Sequence, residues 1–456
     1  MPAAMSSLTQ YTDLYRQTAA KIDANSAPVL NALRPAALEA LDRAGRLPLP
    51  SDEGFEKTSI EEMYAPDFGL NPDRLPIEAD IAATFRCDVP NLSTLLALVV
   101  NDRFVPTSTL IKNLPEGVTV CSLREAALNH PDLVAKYYGR LAPLDVPGVA
   151  LNTLLCQEGV FIHVGAGVRL HKPLQLVNIF SARFPFMAPR RILLVAEDGA
   201  EVQLLKCDHT QTPGVKYLSS EVVEIYAGAG ARIGWYDLEE SSAETARYSQ
   251  FYLRQERDSH FDSCTATLCN GSTRNEYNID VVGNGCHTLL AGMAIGTGSQ
   301  HVDNNSQLTH RSEHSSSRQL FKYVLDDRAT GAFEGSIEVA HGARFTEAYQ
   351  SNRNILASRD ARMHTKPQLL IYNDDVKCSH GATTGQLDAE ALFYMQTRGI
   401  PMKEARRMLM QAFLVDVIDA ISLEQLRDRL RHMVENRFSG DHTTCTTCRN
   451  NPASKI

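Results

Sequence analysis

An excess of positive charge is missing from this sequence. Its 45 lysines and arginines are outnumbered by 54 acidic residues, giving a formal net charge of −9, and this argues against a general binder of nucleic acid or anionic membranes. Long apolar runs are missing as well. The most apolar stretch in the first hundred residues, Leu95 to Val100, falls far short of the roughly 20 residues a membrane-spanning helix needs. Met1 to Ser6 shows neither a charged nor an apolar leader pattern, so no secretory signal is expected. Ten cysteines among 456 residues lack the density of a disulfide scaffold. They are therefore expected to be thiols in a reducing cytoplasm, most of them small core residues. No Gly-x-x-x-x-Gly-Lys-Ser/Thr run occurs, so the chain shows no nucleotide site of its own; Gly-x-Ser-x-Gly and His-Glu-x-x-His are absent too.

What is present fits a folded protein, with 43% apolar and 22% charged residues. Residues 1–147 read as mostly helical. Thr9 to Ile22 has apolar residues at helical spacing, and Pro35 opens a helix that Gly45 stops. Ser122 caps a helix predicted over Leu123 to Tyr138, with Glu125 completing a capping box. Leu95 to Val100 is a buried strand or part of a buried helix.

From 148 to 386 the texture is short strands broken by Gly, Asn and Asp, such as Val160 to Val164, Arg191 to Ala196, Glu201 to Leu205 and Val222 to Tyr226. A motif recurs at Gly167-Val168-Arg169-Leu170, Gly199-Ala200-Glu201-Val202 and Gly230-Ala231-Arg232-Ile233. That periodicity suggests a solenoid whose coils turn at the glycine, with a register that blurs after about residue 250. Gly228-Ala229-Gly230 is followed by a strand pattern, so it reads as a solenoid turn and not as a dinucleotide loop.

Residues 387–438 return to helical texture. Asp388 caps one helix and Gly399 ends it. Pro401 opens a second with Ala405, Met408, Leu409, Ala412 and Phe413 on one face, and Ser422 with Gln425 caps a third. Residues 439–456 form a loose polar tail carrying His442, Cys445 and Cys448, a weak signal for metal or thiol chemistry.

Histidines gather late, at 301, 310, 314, 341, 364 and 380. His310 and His314 would share a face in a helix or a strand. For most of these, a hydrogen-bonded or solvent-facing strand histidine is the better account. Asp374 and Asp375 are adjacent, so in a strand they face opposite ways and cannot form the facing carboxylate pair of a glycosidase. Cys378 and His380 lie two apart, on one face of an extended strand. Thiolate and imidazole together suit iron, sulfide or persulfide chemistry, but a cluster takes four ligands. Spacing alone favours a core cysteine beside a satisfied histidine.

The surroundings of that pair change the balance. Phe333-Glu334-Gly335-Ser336-Ile337, Gln350-Ser351-Asn352-Arg353-Asn354, Lys366-Pro367-Gln368-Leu369, Asp375 to Thr383, and Leu392-Phe393-Tyr394 with Arg398-Gly399-Ile400 occur in order. Together they resemble the shared core of the SufB/SufD family of iron–sulfur cluster assembly proteins. Within it, His380-Gly381-Ala382-Thr383 is similar to the SufD branch, where SufB reads His-Glu-Ala-Thr.

The resemblance implies a right-handed parallel β-helix flanked by helical ends. It implies a cytoplasmic, non-ATPase scaffold that is not itself an enzyme and that works with SufB and the ATPase SufC. SufC would dock on the C-terminal helices around Tyr394, Arg398, Gly399, Ile400 and Pro401. Its ATP-driven dimerisation would strain the SufB–SufD pair and open their shared interface. His380, with a SufB cysteine, would then build a transient, shared iron–sulfur cluster, and Cys378 would be a secondary thiol nearby. Self-pairing of the isolated chain is a further expectation.

Near the N-terminus Phe55-Glu56-Lys57-Thr58-Ser59 stands where the family often shows Trp-Lys-Tyr-Thr, leaving that region's role open. Two rivals remain: a β-helical carbohydrate-active enzyme, and a SufB-like subunit that holds the cluster itself.

Overall fold

Strands of about ten residues follow one another from Val160 to Gly385, joined by tight corners. Because consecutive strands alternate between two sheets, each neighbours the strand two steps away and not the next one. A computed structural model of the chain, describing residues 6–75, 93–212 and 214–439, shows the result as a parallel β-solenoid of about eight turns. Among these residues one sheet has ten strands, from Arg103–Pro106 at one edge to Lys377–Gly385 at the other. The second has nine, from Val118–Ser122 to Arg362–Ile371. Pairing is parallel except at the N-terminal edges, where Leu95–Val100 meets Arg103–Pro106, and Val118–Ser122 meets Val160–Val164, antiparallel. Leu95 to Val100 is thus a strand, buried along its whole length.

The corners explain both the visible repeat and its fading. Gly167, Gly199 and Gly230 adopt left-handed backbone, with φ of 69°, 68° and 67°, a region that costs glycine nothing. Each donates its N–H to the next coil: Gly167 to the Asp198 carbonyl (2.8 Å), Gly199 to Ala229 (2.8 Å) and Gly230 to Arg257 (2.7 Å). The ladder continues through Asp258 to Asn284 (2.8 Å), Gly285 to Glu313 (3.2 Å), His314 to Arg344 (2.9 Å) and Phe345 to Asp375 (2.7 Å). Asp258, His314 and Phe345 hold the same left-handed conformation. The repeat therefore persists in the backbone after its glycine signature has gone.

Between the sheets lies one continuous apolar core running from Leu95 to Ala361. Its early coils also enclose a buried ionic cluster. Lys206 meets Glu221 at 2.5 Å and Asp237 at 3.1 Å, while Asp208 receives Arg190 at 3.2 Å and Arg247 at 3.3 Å. Buried charges persist only when paired in this way.

Each outer face is covered by one end of the chain. Helices Ser7–Ala24, Arg34–Ala44, Ile60–Tyr64 and Pro147–Leu155 pack on the nine-stranded sheet through Met187, Leu218 and Tyr248. Helices Met402–Asp419 and Glu424–Ser439 cover the ten-stranded sheet through Leu414, Val417, Ile418, Leu426 and Leu430. Strands covered on both sides lose alternation: Phe186–Ala196 is buried at every position.

Several local expectations are corrected. The helix over Leu123 to Tyr138 is two, Leu123–Asn129 and Pro131–Tyr137, because Pro131 cannot continue the hydrogen-bond ladder. Residues 148–155, read as strand texture, belong to helix Pro147–Leu155. Met408 and Ala412 face outward, and the covering face is built from Ala405, Leu414, Val417 and Ile418. Ser422 is no cap: its hydroxyl bonds Tyr236 Oη at 2.7 Å, and the helix begins at Glu424. By contrast Ser122 and Asp388 accept from helix N–H groups as expected, and Gly45 and Gly399 end their helices with φ of 69° and 84°.

Candidate functional site

Cys378 and His380 sit on Lys377–Gly385, the terminal strand of the ten-stranded sheet. In register, Cys378 lies over Ala348 and His380 over Gln350. Cys378 packs against the solenoid core, so alternation places His380 on the same inward face. His380 is nonetheless exposed, since among the described residues no further coil caps this end. Arg362–Ile371, the terminal strand of the other sheet, ends here too. Two edge strands with unpaired backbone groups therefore flank one opening, and such edges are templates for pairing with another chain.

Chemically the pair is unequal. Burial pushes the Cys378 thiol above its ordinary value, which favours the protonated, weakly nucleophilic form. His380 makes no side-chain hydrogen bond among the described residues. No group of three or more His, Cys, Asp or Glu side chains able to hold a metal occurs among the described residues. What the arrangement offers by itself is one imidazole and one thiol at an open end.

Beneath them the solenoid interior turns polar. Along Glu347–Leu356 the inward residues are Ala348, Gln350, Asn352 and Asn354, all buried. Gln350 Nε2 donates to Gln319 Oε1 at 2.9 Å, Ser306 Oγ donates to the same oxygen at 2.9 Å, and Asn354 Nδ2 donates to Asn352 Oδ1 at 2.7 Å. This carboxamide floor was missed in the sequence. Its signal was there, because polar residues at 350, 352 and 354 share one face of a strand.

The other histidines are dispersed. His310 is buried and bonds Ser317 Oγ at 2.8 Å, while His314 occupies a left-handed corner stacked on Phe345 at 4.8 Å, so they share no face. His341 packs on Tyr372 and His364 is exposed. Asp374 and Asp375 lie in a turn, with Asp375 on Arg344 at 2.8 Å. His301 bonds Thr58 Oγ1 at 2.8 Å and Thr330 Oγ1 at 2.7 Å. Thr58 also donates to Asp303 at 2.5 Å, and Arg274 covers the Phe55 ring at 4.3 Å. The Phe55–Ser59 segment thereby pins the N-terminal helices to the nine-stranded sheet. His442, Cys445 and Cys448 lie outside the described residues.

Of the residues proposed for SufC, Tyr394 lies in helix Ala389–Thr397, and Arg398, Gly399, Ile400 and Pro401 form the turn that follows it. Arg398 ends Ala389–Thr397 with its guanidinium over the Tyr394 ring at 5.0 Å. The Ile400 N–H reaches the Met395 carbonyl at 3.1 Å around left-handed Gly399, and Pro401 caps the next helix. Phe393 and Tyr394 stand out as exposed aromatics, 70% and 58% accessible.

Comparison with known proteins agrees along nearly the whole chain. Residues 180–413 match the family model described as SUF system FeS cluster assembly, SufBD core domain, and residues 5–176 match that of the SufBD protein N-terminal region. An iron–sulfur cluster assembly SufBD family protein of Synechocystis is 28% identical over 86% of this chain and 88% of its own length. The iron–sulfur cluster assembly proteins SufD of Bacillus subtilis and Escherichia coli are 27% and 26% identical, each over 88% of this chain and 92% of theirs. With its N-terminal region and solenoid core matched, the chain belongs to the SufBD family and has its role in iron–sulfur cluster assembly by the SUF system.

Proposed function

We propose that this chain is a SufD-type, non-ATPase scaffold subunit, acting in the cytoplasm with a SufB partner and the ATPase SufC. The observation that carries the reading is the open solenoid end, where two terminal strands flank an exposed His380 and a half-buried Cys378. A partner strand added there would bring a second chain's side chains against His380. The nascent cluster is cargo, assembled between the two chains and passed on. His380 contributes an imidazole to iron or to incoming sulfur. Cys378, held as a thiol, serves as a secondary group. Tyr394 with the turn Arg398, Gly399, Ile400 and Pro401 is the SufC dock, through which ATP-driven movement would strain and open the shared end.

The test is His380→Ala in the assembled complex. The substitution lies on an exposed strand, so complex formation is expected to persist while cluster yield falls by about tenfold or more, the range lost when an essential proton or metal partner is removed. Yield equal to that of the unaltered complex would sink the reading.

A further inference from the structure

We infer that Gln350 is a positioning residue that fixes the ring orientation and tautomer of His380. The functional weight of this inference rests on the reading of His380 as the cluster-building side chain. Gln350 pairs in register with His380 on the adjacent coil, and both project inward.

The carboxamide of Gln350 is clamped from two directions. Its Nε2 donates to Gln319 Oε1 at 2.9 Å, and Gln319 is in turn held by Ser306 at 2.9 Å. From the opposite sheet it lies against Gly335, where a Cβ would stand 2.2 Å from Gln350 Nε2, 2.9 Å from its Cδ and 2.7 Å from Phe333 Cζ. Gly335 is thus glycine because the amide occupies the side-chain space. With the amino group committed, Gln350 Oε1 is a buried acceptor that has no partner among the described residues. Buried acceptors left unpaired are unfavourable, and the polar side chain next in register is the unbonded imidazole of His380.

One ring N–H of His380 donated to that oxygen satisfies it. The other ring nitrogen then keeps its lone pair aimed at the open end. Histidines that meet metals typically have their second nitrogen oriented in this way. Ser306, Gln319, Gly335 and Gln350 therefore form a support for a group presented to another chain, built from both sheets.

The experiment is ¹⁵N NMR of the full chain with labelled histidine at pH 8, with His380 assigned by its loss in His380→Gln. In the unaltered chain one tautomer is expected to dominate. Gln350→Met, similar in length but unable to accept, should move the tautomer ratio about fivefold toward that of free histidine, the worth of one net hydrogen bond. Gln350→Glu, which keeps an acceptor, should retain the dominant tautomer, and Gly335→Ala should shift it in the direction of Gln350→Met. Free-histidine proportions in the unaltered chain overturn the inference without any variant, as does an unchanged ratio in folded Gln350→Met. If the ratio shifts but His380→Ala leaves cluster yield intact, the cluster reading fails and the positioning stands. If His380→Ala is deficient and the ratio does not move, the positioning fails alone.

Discussion

Glu224 offers the sharpest test of how the N-terminal region is fastened to the solenoid. Its side chain is fully buried on the outer face of the nine-stranded sheet, where one oxygen meets Arg191 Nη2 at 2.5 Å. The same carboxylate accepts the N–H groups of Gly139 (3.0 Å), Leu141 (3.0 Å) and Ala142 (3.3 Å). Arg191 also lies over the Tyr138 ring at 4.8 Å and reaches Thr153 Oγ1 at 3.2 Å. Glu224→Gln keeps the volume and an acceptor for the backbone but leaves a guanidinium buried without its counter-charge, a loss of about 3–5 kcal/mol. Glu224→Ala adds orphaned backbone donors, each worth roughly 1–3 kcal/mol, and should be worse. Hydrogen exchange at Gly139, Leu141 and Ala142 reads the effect locally, since these amides are the ones released. Protection there should fall by about two to four orders of magnitude in Glu224→Gln, at roughly 1.4 kcal/mol per tenfold. A fall of less than tenfold would show that the carboxylate is not what holds the segment.

Two further outcomes follow from single side chains. Burial holds the His310 imidazole down, at about 4, against about 6.5 in an unfolded chain. Between those values the unfolded chain binds a proton that the folded chain does not, so stability is lost as pH falls from about 6.5 to about 4. That window is worth about 3 kcal/mol, and His310→Gln should flatten it in a series of urea midpoints; equal pH slopes in both proteins would refute it. Tyr394→Asp changes an exposed ring and should leave the fold intact while reducing co-purification of the proposed ATPase partner by about tenfold, the loss expected when an aromatic anchor of roughly 1.4 kcal/mol or more is removed. Undiminished capture would move the dock elsewhere.

How far the sequence could be read depended on whether each structural need forces a residue type. A left-handed corner favours glycine, so Gly167, Gly199 and Gly230 announced the first coils. The constraint is steric and of modest size, however, and Asp258, His314 and Phe345 meet it with the same backbone, hiding the later repeat. Helix ends at Gly45 and Gly399 were legible for the same steric reason. Ser422 was misread because a hydroxyl serves as readily for a tertiary bond to Tyr236 as for a cap. The charged interior at Lys206, Asp208, Glu221, Asp237 and Arg247 was invisible, since a charge run in isolation reads as a solvated face.

The candidate site shows the same division. Two-residue spacing sets Cys378 and His380 on one face of an extended strand, but spacing carries no information on which face is covered or where the solenoid stops. Those facts come from stacking: Cys378 has a core beneath it, while His380 has an amide floor beneath it and nothing above it among the described residues. A histidine so placed is incomplete by itself, because the polar support of Gln319, Gln350 and Gly335 is assembled inside this chain and opens outward. On the proposed reading, the strand that next stacks on Lys377–Gly385 brings the remaining ligands, so pairing at this edge and chemistry at His380 should rise and fall together.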